Sequence, residues 1–279
     1  MKRKNPLSWI FIIVLLFGLL GIAGTGCAET VKIGGTGFPL GVVKILAATF
    51  EKQFPGEEIK VFPSLGSSGG IKALLAGALD LGLSARQLKE GETGRGASAM
   101  EIGRTPFVFF VNNGVNKNGL TFQELESIYG GQLQEWPDGT RIRLVLRPKG
   151  ETDTEIIRGM TPAMDQQVDL SFGREGMNLA ITDQDNAAVI ENTVGGMGGG
   201  TLAQILSEKR QVKVLSLNGV TPSVEGLVDG SYPWSKSIFL VTTSKISPAA
   251  EKFKDFIFSE TGGAILKSYG IMVSTGSLR

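Results

Sequence analysis

Three times along this chain a short apolar run reaches a glycine-containing turn and passes into a helical pattern, and this alternation restricts the fold more than any other feature. Val31-Lys32-Ile33 alternates and meets Gly34-Gly35; Leu40 to Phe54 then places Val43, Leu46, Ala47, Phe50 and Phe54 at helical spacing until Pro55-Gly56 stops the helix. Ile59 to Phe62 reads as a second strand, Ser67-Ser68-Gly69-Gly70 opens a helix over residues 71–78, and residues 79–83 form a third short strand. Strands linked through helices run parallel and carry helices on their faces, so an α/β architecture is expected. The pattern restarts after the buried-strand run Phe107–Val111. A helix over 121–129 is capped by Thr121 with Glu124 three residues on, a strand spans 142–146, and helices begin near Thr154 and at Asp183. Residues 195–200 read as a glycine-rich strand or turn. Strands are expected at 212–217 and 237–243, and residues 248–269 hold two helices broken at Gly262-Gly263. Phe107, Phe109, Phe110, Phe239 and Phe256 are expected in the core rather than at a ligand.

The N-terminus has the order of an export signal. Met1-Lys2-Arg3-Lys4 is basic, Leu7 to Ala23 is almost wholly apolar, and Gly24-Thr25-Gly26 precedes Cys27. A cleaved signal over residues 1–26 is expected; a retained membrane anchor is the alternative, since the apolar run is long enough for one. Cys27 is the only cysteine of the 279 residues, so no internal disulfide forms. Its position resembles the lipidation site of bacterial lipoproteins, although Gly24 stands where an aliphatic residue is usual. A lipid anchor at Cys27 is the expectation, and an incidental cysteine beside an ordinary cleavage site the alternative.

Composition narrows the function classes. The chain has no histidine, which removes the commonest general base and metal ligand and excludes hydrolases that depend on it. Lys and Arg number 28 against 27 Asp and Glu, with no basic stripe interleaved with aromatics, so no nucleic-acid partner is expected. No metal or other cofactor is expected.

The chemistry gathers at the strand-to-helix turns. Leu65-Gly66-Ser67-Ser68-Gly69-Gly70 brings hydroxyls and backbone N–H groups to a helix start, a neutral cradle for an anion or simply a helix cap. Gly34-Gly35-Thr36-Gly37-Phe38-Pro39 has the same form; as a dinucleotide loop it is weak, because no acidic residue ends the next strand. At the third turn, Arg147 ends a strand and can pair bidentately with an oxyanion, and Thr152 and Thr154 can donate or cap. Glu151 and Asp153 serve either the ligand or the helix dipole. Turns from both halves of the chain facing one point would form an oxyanion trap.

These residues resemble a known family. Gly66-Ser67-Ser68-Gly69-Gly70-Ile71-Lys72 with Ala76-Gly77 and Leu79-Asp80-Leu81-Gly82-Leu83-Ser84 is similar to the periplasmic phosphate-binding proteins of ABC importers. Gly37-Phe38-Pro39 looks like that family's first phosphate loop, and Leu120-Thr121 through Trp136-Pro137-Asp138-Gly139 like its second-lobe entry segment. The resemblance implies a type II periplasmic-binding-protein fold: two α/β lobes, two crossover strands and a ligand cleft between them. Lobe 1 is expected at about 28–110 plus 225–279 and lobe 2 at about 111–224. It further implies ligand N–H groups at Gly37 and Phe38, a hydroxyl at Ser67 with Ser68 and Ser84 beside it, and a ligand arginine at Arg147. Two departures stand out. The family's Gly-Ser-Gly-Thr loop is replaced by Gly150-Glu151-Thr152-Asp153-Thr154, and the aspartate usual after the serine matching Ser84 is replaced by Ala85-Arg86. The loss at Ala85 either relaxes the preference for a protonated oxyanion or moves its acceptor to Glu151 or Asp153, or else Arg86 adds charge for a larger or more highly charged anion.

The expected function is therefore an exported, membrane-anchored receptor, monomeric and not an enzyme, that captures phosphate for an ABC permease. Molybdate, tungstate, sulfate and a small organic anion are the other ligands in view. An oxyanion sensor or scavenger without a transporter is the alternative. Phosphoryl transfer using Asp153 or Glu151 is disfavoured, because no metal-ligand cluster or nucleophile–base pair accompanies them.

Overall fold

The computed structural model describes residues 30–274, so the basic–apolar leader and Cys27 lie outside the described residues. The first half of the fold contains β1 (Thr30–Gly35), α1 (Leu40–Gln53), β2 (Glu58–Val61), α2 (Gly66–Leu75), β3 (Leu81–Ser84), α3 (Glu90–Thr93) and the long β4 (Ala97–Asn112). There follow β5 (Gly119–Leu120), α4 (Phe122–Gly130), β6 (Arg143–Leu146), α5 (Thr152–Arg158), α6 (Met164–Gly173), β7 (Asn178–Leu179), α7 (Asp183–Asn192), β8 (Gly196–Thr201) and α8 (Leu202–Glu208). The chain closes with β9 (Val212–Val214), β10 (Ser216–Leu217), α9 (Val224–Asp229), β11 (Ser235–Thr243), α10 (Pro248–Ile257), α11 (Glu260–Ser268) and β12 (Met272–Val273).

Two parallel sets of strands are joined through two long antiparallel ones. The order along the main sheet is β2-β1-β3-β11-β4-β8-β6-β7. β1 is parallel to β2 and β3, and β6 is parallel to β7 and β8. Between these sets, β4 pairs antiparallel with β11 through Ala97–Pro106 and then with β8 through Phe107–Val111. β4 thus belongs to both halves, and β11 runs beside it as the return crossover. This is the two-lobed, two-crossover α/β plan that the resemblance implied.

Each half has its own core. In the first, Val31, Ile33, Leu46, Phe50, Leu81 and Leu83 pack with Phe253, Phe256 and Ile257 of α10. The Phe50 ring meets Phe253 at 5.1 Å and Phe256 at 5.5 Å, both edge-on, which aromatic quadrupoles favour. In the second, Phe107 and Phe109 pack with Leu125, Tyr129, Leu144, Leu146, Met164 and Tyr232, and the buried Tyr232 hydroxyl donates to Phe107 O at 2.6 Å. All five phenylalanines assigned to the core are buried.

Local signals explain most element ends. Thr121 and Glu124 form the expected reciprocal capping box at α4, and Gly131 closes that helix in the left-handed region. The terminal helices differ from expectation. The break falls at Phe258-Ser259, because Ser259 accepts from Gly262 N and caps α11, so Gly262-Gly263 lie inside that helix. The glycine-rich run is the fully buried strand β8. Neighbouring side chains occupy the space that side chains of its own would need. A Cβ on Gly199 would lie 2.5 Å from Phe107 Cζ, and one on Gly200 would lie 2.8 Å from Phe110 Cε1.

At the first turn, α2 packs directly on the end of β1. Gly35 has φ 145°, and a Cβ on Gly70 would lie 2.4 Å from Gly35 Cα. Backbone cannot yield as a side-chain tip can. Gly70→Ala is expected to destabilise the fold by about 1–3 kcal/mol, the range for overpacking. Gly91→Ala, where the added methyl meets nothing within 4 Å, is not. Urea unfolding of the two variants measures the difference.

Candidate functional site

The first and third turns meet across the two halves, and four charged side chains are buried where they do. Arg147 directly follows β6, Asp153 lies in the first turn of α5, Asp183 opens α7, and Lys236 projects from β11. Their exposures are 5%, 1%, 5% and 2%. Such groups are rarely buried unless paired. Lys236 Nζ makes a short hydrogen bond to Asp153 Oδ1 and lies 3.3 Å from Asp183 Oδ1. Arg147 Nε lies 3.4 Å from Asp153 Oδ2, and its Nη2 3.8 Å from Asp183 Oδ1. Arg147 Nη1 donates to Ala180 O at 2.7 Å. Two cations and two anions give the set no formal net charge.

The first turn supplies the remaining wall. Gly37 N donates to Asp183 Oδ2 at 3.1 Å, and the ammonium of Lys236 stands 4.7 Å above the centre of the Phe38 ring. Gln184, next to Asp183, donates from Nε2 to Gly37 O at 2.9 Å and to Glu208 Oε1 at 2.8 Å. The third turn is held by Thr154, whose hydroxyl donates to Arg147 O and Pro148 O. A small void of about 10 Å³ beside Arg147 is lined by Tyr129, Leu146, Thr154, Ile157 and Phe172 among others.

Of the ten residues expected at the ligand, Gly37, Phe38, Arg147 and Asp153 come together here. Thr152 and Glu151 are half-buried at the start of α5, where Glu151 takes the N-cap position without a side-chain cap bond. The second turn packs on the end of β1, and its serines and the residues after β3 bond to one another. Ser67 Oγ accepts from Ala85 N at 2.9 Å, and Ser84 Oγ donates to Arg86 O at 2.7 Å. Arg86 forms a two-pronged pair with Glu92 (2.8 and 2.9 Å) and donates to Ser68 Oγ at 3.0 Å. That pair draws the Glu92 carboxyl down to about 2. Nothing local in the sequence marks Asp183 or Lys236 as a site residue. Asp183 reads as an ordinary acidic residue in a first helical turn, and the strand expected at 237–243 began one residue after Lys236. A lone lysine leading into an apolar strand was the available signal.

Opposing effects set the protonation of the quartet. Burial is the largest influence on Asp183 and pushes its pKa up; Lys236, Arg147 and the Gly37 N–H together outweigh it, so the carboxyl titrates below its ordinary value. Burial likewise pulls Lys236 down, but Asp153 and Asp183 prevail and hold its ammonium above its ordinary value. Among the described residues, no cluster of three or more His, Cys, Asp or Glu could hold a metal ion. None of the described helices is long and apolar enough to cross a membrane.

Two α/β halves on a pair of crossover strands, with a buried set of four charges at their junction, define a binding-protein architecture. The family model of the PBP superfamily domain matches residues 23–261, and the chain belongs to that superfamily. The phosphate-binding protein PstS of Borreliella burgdorferi is 22% identical over 280 residues, covering 94% of this chain and 98% of the relative. PstS of Bacillus subtilis is 24% identical, covering 83% and 76%. Among solved structures, a putative phosphate ABC transporter substrate-binding protein with bound phosphate from Clostridium perfringens superposes with TM-score 0.74 at 20% identity, covering 88% of this chain and all of that one. A reduced form of OxyR from N. meningitidis shares the fold with TM-score 0.58 at 12% identity, covering 88% and 99%. The fold therefore fixes the scaffold, and the site must decide the ligand.

The quartet makes stability depend on pH from both sides. Asp183, titrating below its unfolded value of about 3.9, contributes stability that is present above that pH and is lost as pH falls through the folded value. Lys236, titrating above its unfolded value of about 10.4, contributes stability that is complete below that pH and is lost as pH rises past it. Lys236→Met leaves two buried carboxylates without their shared ammonium and is expected to cost about 3–5 kcal/mol at pH 7. Denaturant midpoints across the pH range test both the slopes and the variant.

Proposed function

We propose that this chain is an exported solute receptor that holds phosphate or a closely related oxyanion in the cleft between its halves and delivers it to an ABC-type importer. The observation that carries this reading is the convergence of the Gly37 amide, the Arg147 guanidinium and the Lys236 ammonium on one buried point. A fixed amide, a planar cation and a compact ammonium carry donors and no acceptor atoms of their own, the requirement for desolvating a small anion. The phosphate-binding relatives and the phosphate-containing structural neighbour support the choice of ligand. Because those relatives are binding proteins by name, the role is that of a receptor rather than a catalyst.

In this reading the halves, about 28–110 plus 225–279 and about 111–224, close on the ligand about β4 and β11, and the closed form docks on the permease. The leader over 1–26 directs export and Cys27 carries the lipid anchor that keeps the receptor beside its transporter.

Residues 28–279 contain every described residue and serve for binding measurements. A thermal-shift panel of phosphate, arsenate, sulfate, molybdate and tungstate tests the ligand class. Phosphate at a hundred times its Kd is expected to stabilise by about 2.7 kcal/mol, with arsenate close behind, and Arg147→Ala is expected to abolish the shift. No stabilisation by any of the five anions would reject an oxyanion site. For the anchor, Cys27→Ser is expected to move the expressed protein from the membrane fraction to the soluble fraction; unchanged partition would reject lipidation.

A further inference from the structure

We propose that Asp183 is an internal competitor for the ligand: its carboxylate occupies the anion position of the cleft, and an oxyanion enters only as that carboxylate leaves. The inference rests on the oxyanion reading above and assigns a role to a residue that reading does not use.

Three groups from separate elements point at this one carboxylate. Gly37 N reaches Oδ2 at 3.1 Å, and Lys236 Nζ and Arg147 Nη2 stand 3.3 and 3.8 Å from Oδ1. An amide, an ammonium and a guanidinium are the donor set expected around a bound oxyanion, and here a side chain of the protein itself accepts from the amide and the ammonium with the guanidinium beside it. Asp153 differs, since it faces Lys236 and Arg147 but accepts no amide of the first turn.

The substitution is incomplete. Arg147 Nε and Asp153 Oδ2 are both buried without a hydrogen bond, and the only hydrogen bond of the Arg147 side chain among the described residues goes to Ala180 O. A carboxylate offers two oxygens where a tetrahedral oxyanion offers four, so the arginine keeps donors that the internal anion does not satisfy. Charge points the same way. With Asp183 in place the buried set is neutral, and a phosphate dianion would enter without net attraction. With Asp183 withdrawn, Arg147 and Lys236 face Asp153 alone, and the remaining positive charge favours an anion.

The fold gives Asp183 a way out. It opens α7, and its neighbour Gln184 ties the start of that helix to Gly37 O, while Gln184 Oε1 is buried without a partner. Moving the start of α7 away from the first turn removes both contacts at once.

Isothermal titration of residues 28–279 with inorganic phosphate, comparing wild type with Asp183→Asn and Asp153→Asn, tests this. Asp183→Asn is expected to tighten binding by about tenfold or more, since it removes the free energy spent on the self-bound state; Asp153→Asn is not. Wild-type binding with equal or weaker affinity in Asp183→Asn overturns the competitor while leaving the oxyanion reading intact. Equal tightening in both variants assigns the effect to net charge rather than occupancy and also overturns it. No binding by any of the three rejects both readings. Circular dichroism checks that each variant folds. If Asp183→Asn does not fold, Gln184→Ala, which releases the helix start without touching the quartet, replaces it: tighter binding supports the competitor, and unchanged or weaker binding overturns it.

Discussion

Burying four charges at the junction of two half-sheets is the constraint on which this structure turns. An ion taken from water into a protein interior costs several kcal/mol even after relaxation, and only close opposite charge and hydrogen bonding offset it. Arg147, Asp153, Asp183 and Lys236 come from four elements, β6, α5, α7 and β11. Their mutual neutrality therefore fixes how those elements are placed. Lys236 matters most among them. It lies on the crossover strand, it contacts both carboxylates, and its ammonium lies over Phe38 of the opposite turn. Hydrophobic cores stabilise each half separately, whereas this set of charges is what the halves share at the cleft.

The scaffold that delivers these side chains is simple in its logic. Parallel strands send their C-terminal ends, and the turns that follow them, to one edge of the sheet, where ligands of open α/β folds bind. Gly35-Thr36-Gly37 and Arg147-Pro148 are such turns, at the ends of β1 and β6. The antiparallel pair β4 and β11 sets the two turns facing each other, because each strand is long enough to take part in both halves or to border their junction.

Much of this architecture was legible in the sequence, for identifiable reasons. Short apolar runs followed by glycine gave β1, β2 and β6, and helical spacing gave α1. Thr121 with Glu124 gave the start of α4, because capping chemistry is local. Where packing rather than local chemistry decides, the sequence leaves the choice open, as between strand and turn over residues 195–200. The strand β8 is Gly-Met-Gly-Gly-Gly-Thr, which has no strand propensity; it exists because Phe107 and Phe110 of the neighbouring strand fill the space above its glycines. The first ten residues of β4, Ala97 to Pro106, are mixed in polarity and carry no strand signal of their own; pairing with β11 makes them a strand. The site divided in the same way. Gly37, Phe38, Arg147 and Asp153 sit at turns whose form announces them. Asp183 and Lys236 look like a helix-start acid and a strand-edge lysine, and only the meeting of distant elements gives them their role.

The departures from the family pattern gain a physical meaning from this arrangement. Arg86, standing beside the position where an aspartate is usual, does not lie free to meet a ligand; its guanidinium is held by Glu92 and Ser68. The charge that Arg86 adds after β3 is thus met by Glu92 of α3. The carboxylates that face the cleft come instead from the third turn and from α7, together with a lysine on the crossover strand that balances them. A site with two acids and two bases is neutral when closed on itself, while a site with one carboxylate withdrawn is not. Asp153 takes a short bond from Lys236 of the crossover strand and accepts no amide of the first turn, whereas Asp183 accepts the Gly37 amide and its neighbour Gln184 donates to Gly37 O, so Asp183 is the carboxylate tied directly to the first turn.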